Sequence, residues 1–355
     1  MKKSLCLILA LLSIASLLSG CASPSAPAAT PQPTAAPLAA AQQRYSIMYL
    51  DTFDTLIQLI GFAQSEETFN RVAESAHKSF QHLHKLFDAY NDYTAEGVVS
   101  IYTLNQRAAE SPVQVDPVLM DLLKFCREMQ PTLHHTVNVA MGSVLSIWHD
   151  YREAGLSDPS AAQLPPMDLL TEAAQHVNMD DVVLDEENCT VFFRDPALKL
   201  DVGSVAKGYA TEFVARQLAA SDMPSFIISA GGNVRVGAAP ADGRKAWGIG
   251  VQKPEGYVLS TSEDDLLETF YVSGMSVVTS GDYQRYYVVD GKRYHHLIDP
   301  VTLMPGEYYR AVTILTQDSG MADMLSTTAF LLPYEESRAL IDSLEGVEAL
   351  WVMPD

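Results

Sequence analysis

The sequence changes character at Arg44, and this boundary limits where a folded domain can form. Residues 22–43 consist almost entirely of Ala, Pro, Ser, Thr and Gln, with no charged side chain. Such a stretch buries too little apolar surface to offset its chain entropy, so we expect an extended tether. From Arg44 onward the composition is that of a globular protein, and about 310 residues suffice for one large domain or two closely joined lobes.

The residues before this tether have the pattern of a lipoprotein export signal. Two lysines precede the apolar stretch Leu5–Leu18, which is too short to span a bilayer as a stable anchor. The stretch closes on Leu-Ser-Gly-Cys at residues 18–21, so small residues directly precede a cysteine. A buried helix or an ordinary secretory signal with an incidental cysteine is the alternative, and this ending argues against both.

The chain is therefore expected to have three segments. Residues 1–20 would be a signal peptide that is removed, residues 21–43 a tether carrying lipid on Cys21, and residues 44–355 the folded domain. We expect the protein outside the cytoplasm. The lipid on Cys21 would anchor it to the cell membrane, on the outer face of the cytoplasmic membrane or on the periplasmic side.

The chain is strongly acidic, with a formal net charge of −21 that becomes −23 once Lys2 and Lys3 are removed. Nucleic-acid binding needs a basic surface, so we expect no nucleic-acid partner. An acidic domain also has no electrostatic attraction to an anionic membrane, so the covalent lipid would have to provide the anchoring. It can still bind a nucleotide where a metal ion lies between carboxylate and phosphate.

Two cysteines lie in the expected domain, Cys126 and Cys189. They are too few for a disulfide scaffold and badly spaced for zinc. Two separate buried thiols are the default, and the sequence leaves open whether they pair.

Hydrophobic periodicity predicts strands interspersed with helices. The predicted helices are 66–87, 117–129, 138–151, one that begins near Gly203, and 321–332. The predicted strands lie within 44–62 and at 182–184, 190–193, 198–200, 225–229, 247–251, 285–289, 293–298 and 311–316, with a Pro-rich loop at 155–168. The Asp-Gly pair at 290–291 favours a tight hairpin. Hairpins among the strands indicate an α+β fold of mixed or antiparallel sheets with packed helices.

The segment DVGSVAKGYA, residues 201–210, has features of a phosphate site. Gly203 and Ser204 are expected to open a helix, whose free N–H groups and positive dipole end attract phosphate. Lys207 lies in the first turn, where the dipole disfavours a cation, so its position favours an anionic partner. A solvent-facing lysine is the commoner explanation for any one lysine. Gly208 inside a helix costs about 1 kcal/mol relative to Ala, which indicates close approach by a ligand or another backbone.

The segment ADMLSTTAF, residues 322–330, offers two oxygen donors at helical spacing. Asp323 and Thr327 are four residues apart and therefore share one helix face. A carboxylate and a hydroxyl in this arrangement can bind Mg²⁺, which keeps waters and substrate phosphate as its other ligands. The alternative is an aspartate that stabilises the helix dipole and a threonine that fills a core gap, and this segment alone favours it.

The segment RYHHLIDPVT, residues 293–302, contains two adjacent histidines. Neighbouring strand residues point to opposite faces, so His295 and His296 are expected to have different roles. One would be a general base near neutral pH, and a packed, hydrogen-bonded histidine is the usual alternative. Asp299 precedes Pro300, which favours an extended turn at the end of the strand.

These segments, with the glycine turn SAGGN at 229–233, resemble the FAD:protein FMN transferases, the ApbE-type flavin transferases. The resemblance covers 44–355 and implies a single α+β catalytic domain, often exported as a lipoprotein. It is strongest at 201–210, 229–235, 279–286, 294–302 and 322–332. It implies Mg²⁺-dependent transfer of FMN from FAD, the substrate, to a threonine or sometimes serine hydroxyl through a phosphoester bond, with release of AMP. The implied partner is an acceptor protein with an FMN-binding domain, such as a redox-complex subunit or an exported flavin reductase.

The resemblance also implies roles for individual residues. The metal site falls on Asp323, Thr327 and the backbone carbonyl of Ala206, with Mg²⁺ assumed from the oxygen ligands. His296 matches the catalytic base, and Lys207 matches a lysine near the phosphates. The implied flavin-binding residues are Asp54, Thr55, Lys207, Gly231, Gly232, Asn233, Ser280, Gly281 and Asp299.

Two departures from the family pattern affect the expected flavin contacts more than the reaction. The family often has Met-Gly-Thr where this chain has Phe53-Asp54-Thr55. It has Gly-Gly-Asp where this chain ends the glycine turn in Asn233, which removes a charge. Neither departure lies at the expected metal ligands or base.

Three other functions compete with this interpretation. A hydrolase with water as nucleophile would split FAD into FMN and AMP, and it needs the same motifs. A non-catalytic flavin-binding lipoprotein would tolerate loss of His296 or Asp323, and both are present. A generic solute-binding lipoprotein would explain the tether, but it gives no reason for the spacing of Asp323 and Thr327.

Overall fold

The computed structural model describes residues 42–134, 136–255 and 263–354, so the expected signal peptide and most of the tether, with Cys21, lie outside the described residues. The helices are α1 (Glu66–Phe87), α2 (Ile101–Arg107), α3 (Pro117–Met129), α4 (Gly142–Ser157), α5 (Met167–Ala173), α6 (Ala206–Ala219), α7 (Ser319–Leu331) and α8 (Tyr334–Asp342). None of these described helices is long and apolar enough to cross a membrane.

The strands of the described residues pair mainly in antiparallel fashion. They are β1 (Gln43–Thr52), β2 (Thr55–Ala63), β3 (Val113–Gln114), β4 (Val182–Asp185), β5 (Thr190–Phe193), β6 (Phe226–Ala230), β7 (Asn233–Val236), β8 (Trp247–Gln252), β9 (Leu266–Val272), β10 (Ser276–Gly281), β11 (Tyr286–Val289), β12 (Lys292–His295), β13 (Ala311–Thr316) and β14 (Glu348–Val352). The α+β fold with antiparallel sheets is confirmed.

Helices α1, α3 and α7 begin where the sequence supplies a capping side chain. Ser65 accepts a hydrogen bond from the N–H of Thr68 at the start of α1. Asp116 caps α3, which begins with Pro117, a residue suited to the first helical position. Asp318 accepts from the N–H of Met321 at 2.9 Å and fixes the start of α7.

A seven-stranded antiparallel sheet, in the order β1-β2-β6-β7-β10-β13-β14, forms the centre of the fold. Its two faces are distinguished by the alternation of side chains along each strand. Leu59 and Val278 face the large core shared with α1, α6 and α7, and we call this part the main body. Their neighbours Ile60 and Val277 face the opposite side, where the hairpin β8–β9 covers them with Trp247 and other residues.

A separate, smaller cluster of apolar side chains joins α4, α5 and the hairpin β11–β12. Val144, Trp148, Leu170 and Tyr287 are buried in it. The indole N–H of Trp148 donates to the carbonyl oxygen of Leu303 at 2.9 Å, which ties α4 to the loop after β12. We call this assembly the side wall, because it forms one side of the cleft described below.

Several sequence predictions need correction. Residues 198–200 form no strand, and Lys199 makes only an isolated bridge with Met141. The chain turns just before these residues, because the side chain of Asp195 accepts the N–H of Ala197. The strand predicted at 293–298 ends at His295.

The Asp-Gly hairpin occurs as expected, with left-handed φ values of 49° and 79°. Cys126 and Cys189 are both free thiols, and Cys126 is buried.

Helices α6 and α7 cross in close contact at Gly208. The backbone N–H of Gly208 donates to Oδ2 of Asp323 at 2.8 Å. A Cβ atom added to Gly208 would overlap the carbonyl oxygen of Ser319 and would lie 2.5 Å from Cβ of Asp323. Only glycine lets the two helices approach this closely, as the sequence analysis expected for this position.

Replacing Gly208 with Ala is expected to destabilise the fold by about 1–3 kcal/mol, because the added methyl group pushes α7 away from α6. Urea unfolding followed by circular dichroism measures the change. Gly248→Ala is the matched control, since its nearest neighbour would be the exposed Tyr271 ring at 3.3 Å, and we expect a change within about 0.5 kcal/mol. Equal stability of Gly208→Ala and wild type would contradict the close contact.

Candidate active site

A cleft of about 780 Å³ lies between the main body and the side wall. The main body contributes the start of α6, one face of α7 and the end of β10. The side wall contributes α4 and the hairpin β11–β12. Of the residues predicted from the sequence, the cleft brings together Asp54, Ala206, Lys207, Ser280, His296, Asp323 and Thr327.

Asp323 and Lys207 influence each other's ionisation at the base of this cleft. Burial raises the pKa of Asp323, while Lys207, the N–H of Gly208 and the side chain of Asn233 act in the opposite direction. Burial lowers the pKa of Lys207, and Asp323 opposes this effect. Within the described part of the chain Lys207 forms no ion pair, so its charge is available to an anionic ligand.

Three residues with oxygen atoms that can bind a cation line the cleft near the crossing of α6 and α7. Thr327 lies one turn after Asp323, and both side chains are buried. Ala206, which opens α6, lines the cleft beside them. A carboxylate, a hydroxyl and a carbonyl oxygen suit a hard divalent cation. The described residues contain no group of three His, Cys, Asp or Glu side chains that could hold a metal, so such a cation would need substrate or water oxygens as well.

The burial of Asp323 indicates whether a cation fits at this place in the cleft. A buried carboxylate with a raised pKa lacks full charge compensation from its surroundings. A divalent cation would supply that compensation. The residues present therefore fit a metal site of low protein-ligand number, which is the type that Mg²⁺ occupies beside phosphates.

The two adjacent histidines have different surroundings, as the sequence predicts. His295 is buried, with Nε2 hydrogen-bonded to the carbonyl oxygen of Gly306 at 2.8 Å and Nδ1 accepting the N–H of Leu297. His296 lies half-buried in the cleft, directly after β12. Its Nδ1 lies 3.3 Å from the carbonyl oxygen of Arg285, which accepts only from a protonated nitrogen. This contact assigns the proton to Nδ1 and leaves the lone pair on Nε2.

The cleft keeps His296 neutral. Burial lowers its pKa well below the ordinary value, and the positive charges of Arg285 and Lys207 add to this effect. An imidazole that is neutral with a free Nε2 lone pair can accept a proton. His296 therefore has the state that a general base needs at neutral pH.

Arg285 contacts both His296 and the turn between β1 and β2. Its Nη2 donates to the carbonyl oxygen of Phe53 at 3.1 Å. Phe53 and Asp54 form the turn with left-handed φ values of 56° and 50°, which is unusual for a bulky residue. The N–H of Phe53 also donates to Nδ1 of His84 at 3.2 Å. These two side chains hold a strained turn at the edge of the cleft.

Six of the predicted flavin-binding residues do not line the cleft, and their contact with flavin stays a prediction. They are Thr55, Gly231, Gly232, Asn233, Gly281 and Asp299. Thr55 packs directly on Gly231, where a Cβ atom would overlap its hydroxyl. Gly231 and Gly232 make the tight turn between β6 and β7, with φ values of 55° and 90°. Asp299 instead accepts the N–H groups of two residues that follow it, at 2.7 and 3.1 Å, and holds a loop.

The expected helix opening at Gly203 and Ser204 is wrong, because α6 begins at Ala206. Asp201 accepts the N–H of Gly203 at 2.8 Å and holds these residues in a turn before the helix. The N–H of Ala206 donates to the carbonyl of Val202 at 2.8 Å. An anion at this helix start would therefore depend on the Lys207 ammonium group more than on free backbone donors.

Several side chains of the cleft were not predicted from the sequence. The rings of Tyr90 and His149 are stacked with centroids 3.8 Å apart, and the hydroxyl of Tyr90 donates to Asp201 at 2.5 Å. Arg152 lies 3.0 Å from Nδ1 of His149. Arg285 lies within the matched stretch 279–286 and could have been found there. Tyr90, His149 and Arg152 lie outside every matched stretch and carried no signal.

Comparison with known proteins places the chain in a family. The ApbE family model matches residues 45–351. The FAD:protein FMN transferase of Klebsiella pneumoniae (strain 342) is 30% identical over 278 residues, covering 78% of this chain and 81% of the relative. That of Treponema pallidum (strain Nichols) is 33% identical over 266 residues, covering 72% and 71%. This chain belongs to the ApbE family, which confirms the resemblance seen in its motifs.

Solved structures agree with this assignment. The ApbE protein of Thermotoga maritima aligns with a TM-score of 0.74 at 26% identity, over 88% of this chain and 94% of that one. The apo flavinyl transferase ApbE of Pseudomonas stutzeri aligns with a TM-score of 0.71 at 21% identity, over 88% and 92%, and shows the same fold.

The low pKa of His296 predicts a pH dependence of stability. Folded His296 resists protonation, whereas the same residue in the unfolded chain binds a proton below its ordinary pKa of about 6.5. Its contribution to stability is therefore present above about pH 6.5 and is lost as pH falls below that value. We expect His296→Asn to show a smaller fall in the free energy of unfolding between about pH 7 and pH 5 than wild type.

Urea unfolding at a series of pH values measures this difference. His134→Asn is the matched control, because His134 is exposed and its left-handed backbone conformation suits asparagine. The control should follow the wild-type pH dependence. A His296→Asn curve parallel to wild type would show that the site does not hold this histidine neutral.

Proposed function

We propose that this chain is an FAD:protein FMN transferase. It transfers FMN from FAD to a threonine or serine hydroxyl of an acceptor protein through a phosphoester bond and releases AMP. Relatives of that name cover most of the chain. The observation that carries the proposal is that Lys207, His296 and Asp323 share one cleft. Transfer between phosphates needs little more than positioned charge and a group that accepts the proton of the nucleophile.

The cleft is suited to FAD in size and in lining. Its volume of about 780 Å³ lies in the range of cofactor pockets. Lys207 and Arg285 would bind the pyrophosphate, since both cations face the same region and each affects the pKa of His296. Aromatic side chains such as Tyr90 and Tyr286 give the remaining walls apolar surface for the rings of the substrate.

His296 accounts for activation of the acceptor. The acceptor hydroxyl gives its proton to Nε2 of His296 as its oxygen bonds to the phosphorus of the FMN half. The bond from that phosphorus to the AMP oxygen breaks, and AMP leaves with the bonding electrons. The Arg285 carbonyl keeps the proton on Nδ1, so Nε2 is the nitrogen that accepts.

We assign Asp323, Thr327 and the carbonyl of Ala206 as ligands of Mg²⁺. Bound Mg²⁺ supplies positive charge to the phosphate oxygens during transfer. The Gly208 N–H orients the Asp323 carboxylate through its 2.8 Å hydrogen bond. Lys207 places a second, fixed positive charge beside the same carboxylate.

The direct test is the intact mass of an acceptor domain incubated with this protein, FAD and Mg²⁺. A gain of one FMN unit that EDTA abolishes is the expected result. Free FMN and AMP with an unmodified acceptor would instead indicate hydrolysis of FAD. FAD that is bound but unchanged would indicate a binding protein.

His296→Ala is expected to lower FMN transfer at least 100-fold, because the acceptor hydroxyl loses its proton acceptor. FAD affinity, measured by flavin fluorescence, should stay within about threefold, since His296 is assigned to proton transfer rather than to binding. His134→Ala changes an exposed histidine and should leave both quantities unaltered. Wild-type rates of acceptor labelling by His296→Ala would remove the histidine from the mechanism.

We also propose that the protein works outside the cytoplasm, anchored by lipid on Cys21, and that its acceptor is an exported or membrane-bound protein with an FMN-binding domain. The Leu-Ser-Gly-Cys ending of the apolar stretch and the uncharged tether support this proposal. The tether would let the domain reach acceptors at some distance from the membrane surface.

Cys21→Ser is expected to release the protein from the membrane fraction, because it removes the thiol proposed to carry the lipid. Cell fractionation with immunodetection measures the distribution, and mass spectrometry of the wild-type amino-terminal peptide detects the lipid. Cys126→Ser is the matched control, since Cys126 is a buried thiol of the folded domain, and it should leave the protein with the membrane. Membrane retention of Cys21→Ser would contradict lipid anchoring at this residue.

A further inference from the structure

A buried carboxylate outside the cleft connects the elements that build it. Glu212 lies on α6, one turn after Gly208, and is 8% exposed. Burying an ionised carboxylate is costly unless several donors satisfy it. Glu212 does not line the cleft, and the mechanism described above does not use it.

Glu212 accepts hydrogen bonds from three parts of the fold. Its Oε2 accepts from Nε of Arg235 on β7 at 3.0 Å and from the backbone N–H of Ser319 at the start of α7 at 3.2 Å. Its Oε1 accepts from Nε of Arg216 at 3.2 Å. Arg216 is largely exposed, with 71% of its side chain accessible, whereas the Arg235 side chain is 15% exposed. The buried contacts of Glu212 are therefore those of Oε2.

These contacts continue through Ser319 toward the helix crossing at which Gly208 holds Asp323. The hydroxyl of Ser319 donates to Oδ1 of Asn233 at 2.6 Å. The Nδ2 group of Asn233 has no hydrogen-bond partner within the described part of the chain. Ser319 lies one turn before Asp323 on α7. Ser319 thus connects Glu212, which accepts its N–H, to Gly208, against which its carbonyl packs, and the N–H of Gly208 donates to Asp323.

The same region is where α6 and α7 have no space to adjust. The carbonyl of Ser319 packs against Gly208 on one side, and the N–H of Ser319 is held by Glu212 on the other. A shift of α7 along α6 would break the bond from Ser319 to Glu212 and the bond from Gly208 to Asp323 together. A displacement of about 1 Å at a catalytic site has large consequences for the groups that it positions.

We infer that Glu212 is a positioning residue, which fixes α7 against α6 and β7 so that Asp323 and Thr327 face the start of α6 in a geometry that binds a divalent cation. The inference rests on the metal assignment made under the proposed function. A residue that only stabilised the fold would change the unfolding temperature and leave the cation affinity of the folded protein intact. The bonds of Glu212 to Arg235 and Ser319 require the length of its side chain, which we call its reach, and not its charge alone.

Two substitutions separate reach from charge. Glu212→Asp keeps the negative charge but withdraws it by one methylene group, so the carboxylate no longer reaches Arg235 and Ser319 together. Glu212→Gln keeps the reach, and its amide oxygen can occupy the Oε2 position and accept both buried bonds, while its NH₂ group faces the exposed Arg216. Arg216→Ala is the matched control, because it leaves both buried bonds of Glu212 in place and removes only exposed contacts of Arg216, those with Glu212 and with Asp318 at 2.9 Å.

The probe is Mn²⁺ alone, titrated against folded protein and followed by electron paramagnetic resonance. FAD affinity in EDTA, measured by flavin fluorescence, serves as an independent readout that does not depend on the metal. We expect Glu212→Asp to weaken Mn²⁺ binding at least fivefold, with FAD affinity changed less than twofold. Glu212→Gln should stay within about threefold of wild type for Mn²⁺, and Arg216→Ala within about twofold.

Wild-type Mn²⁺ affinity in Glu212→Asp would overturn the inference, and so would a Glu212→Gln protein that binds Mn²⁺ more weakly than Glu212→Asp. Absence of Mn²⁺ binding by the wild-type protein, or binding that Asp323→Ala does not affect, would overturn it together with the metal assignment. Normal Mn²⁺ binding by a protein that transfers no FMN would remove the transfer proposal and leave the role of Glu212 standing.

Discussion

The contact of α6 with α7 at Gly208 is the constraint on which the site depends. A glycine without Cβ lets the carbonyl of Ser319 and the side chain of Asp323 lie against the α6 backbone. This approach gives Asp323 a backbone donor at 2.8 Å and places its carboxylate beside Lys207. The chemistry assigned to the cleft is therefore set by helix packing in the core, and the core cannot be repacked at this point without moving the site.

Charge in the cleft serves two purposes at once. The cations Lys207 and Arg285 would attract the phosphates of the proposed nucleotide substrate, and the same charges lower the pKa of His296. A base that stays neutral is thus available where an anionic substrate binds. The negative charge of Asp323 partly offsets the positive charge of Lys207, and the same carboxylate can bind a cation. Carboxylates outnumber cations in the lining of the cleft as a whole, so the positive charge offered to an anionic substrate is confined to the region of Lys207 and Arg285.

The sequence predicted the fold class and the local patterns but not the contacts between distant segments. The spacing of Asp323 and Thr327 predicted a shared helix face, which the structure has, because helical period is a local property. The bond of Asp323 to Gly208 joins residues 115 apart, and no local pattern encodes it. The start of α6 was misplaced, since Asp201 holds a turn that propensity alone does not reveal. Tyr90 was missed because its role depends on stacking with a distant helix.

The most direct test of this account is anomalous diffraction from crystals grown with Mn²⁺ and FAD. The account predicts an anomalous peak between the Asp323 carboxylate and the Thr327 hydroxyl, with the FAD pyrophosphate between that peak and Lys207. Nε2 of His296 should face the phosphorus of the FMN half. A metal peak away from Asp323, or a pyrophosphate outside the start of α6, would contradict the assignment of the cleft as the site of transfer.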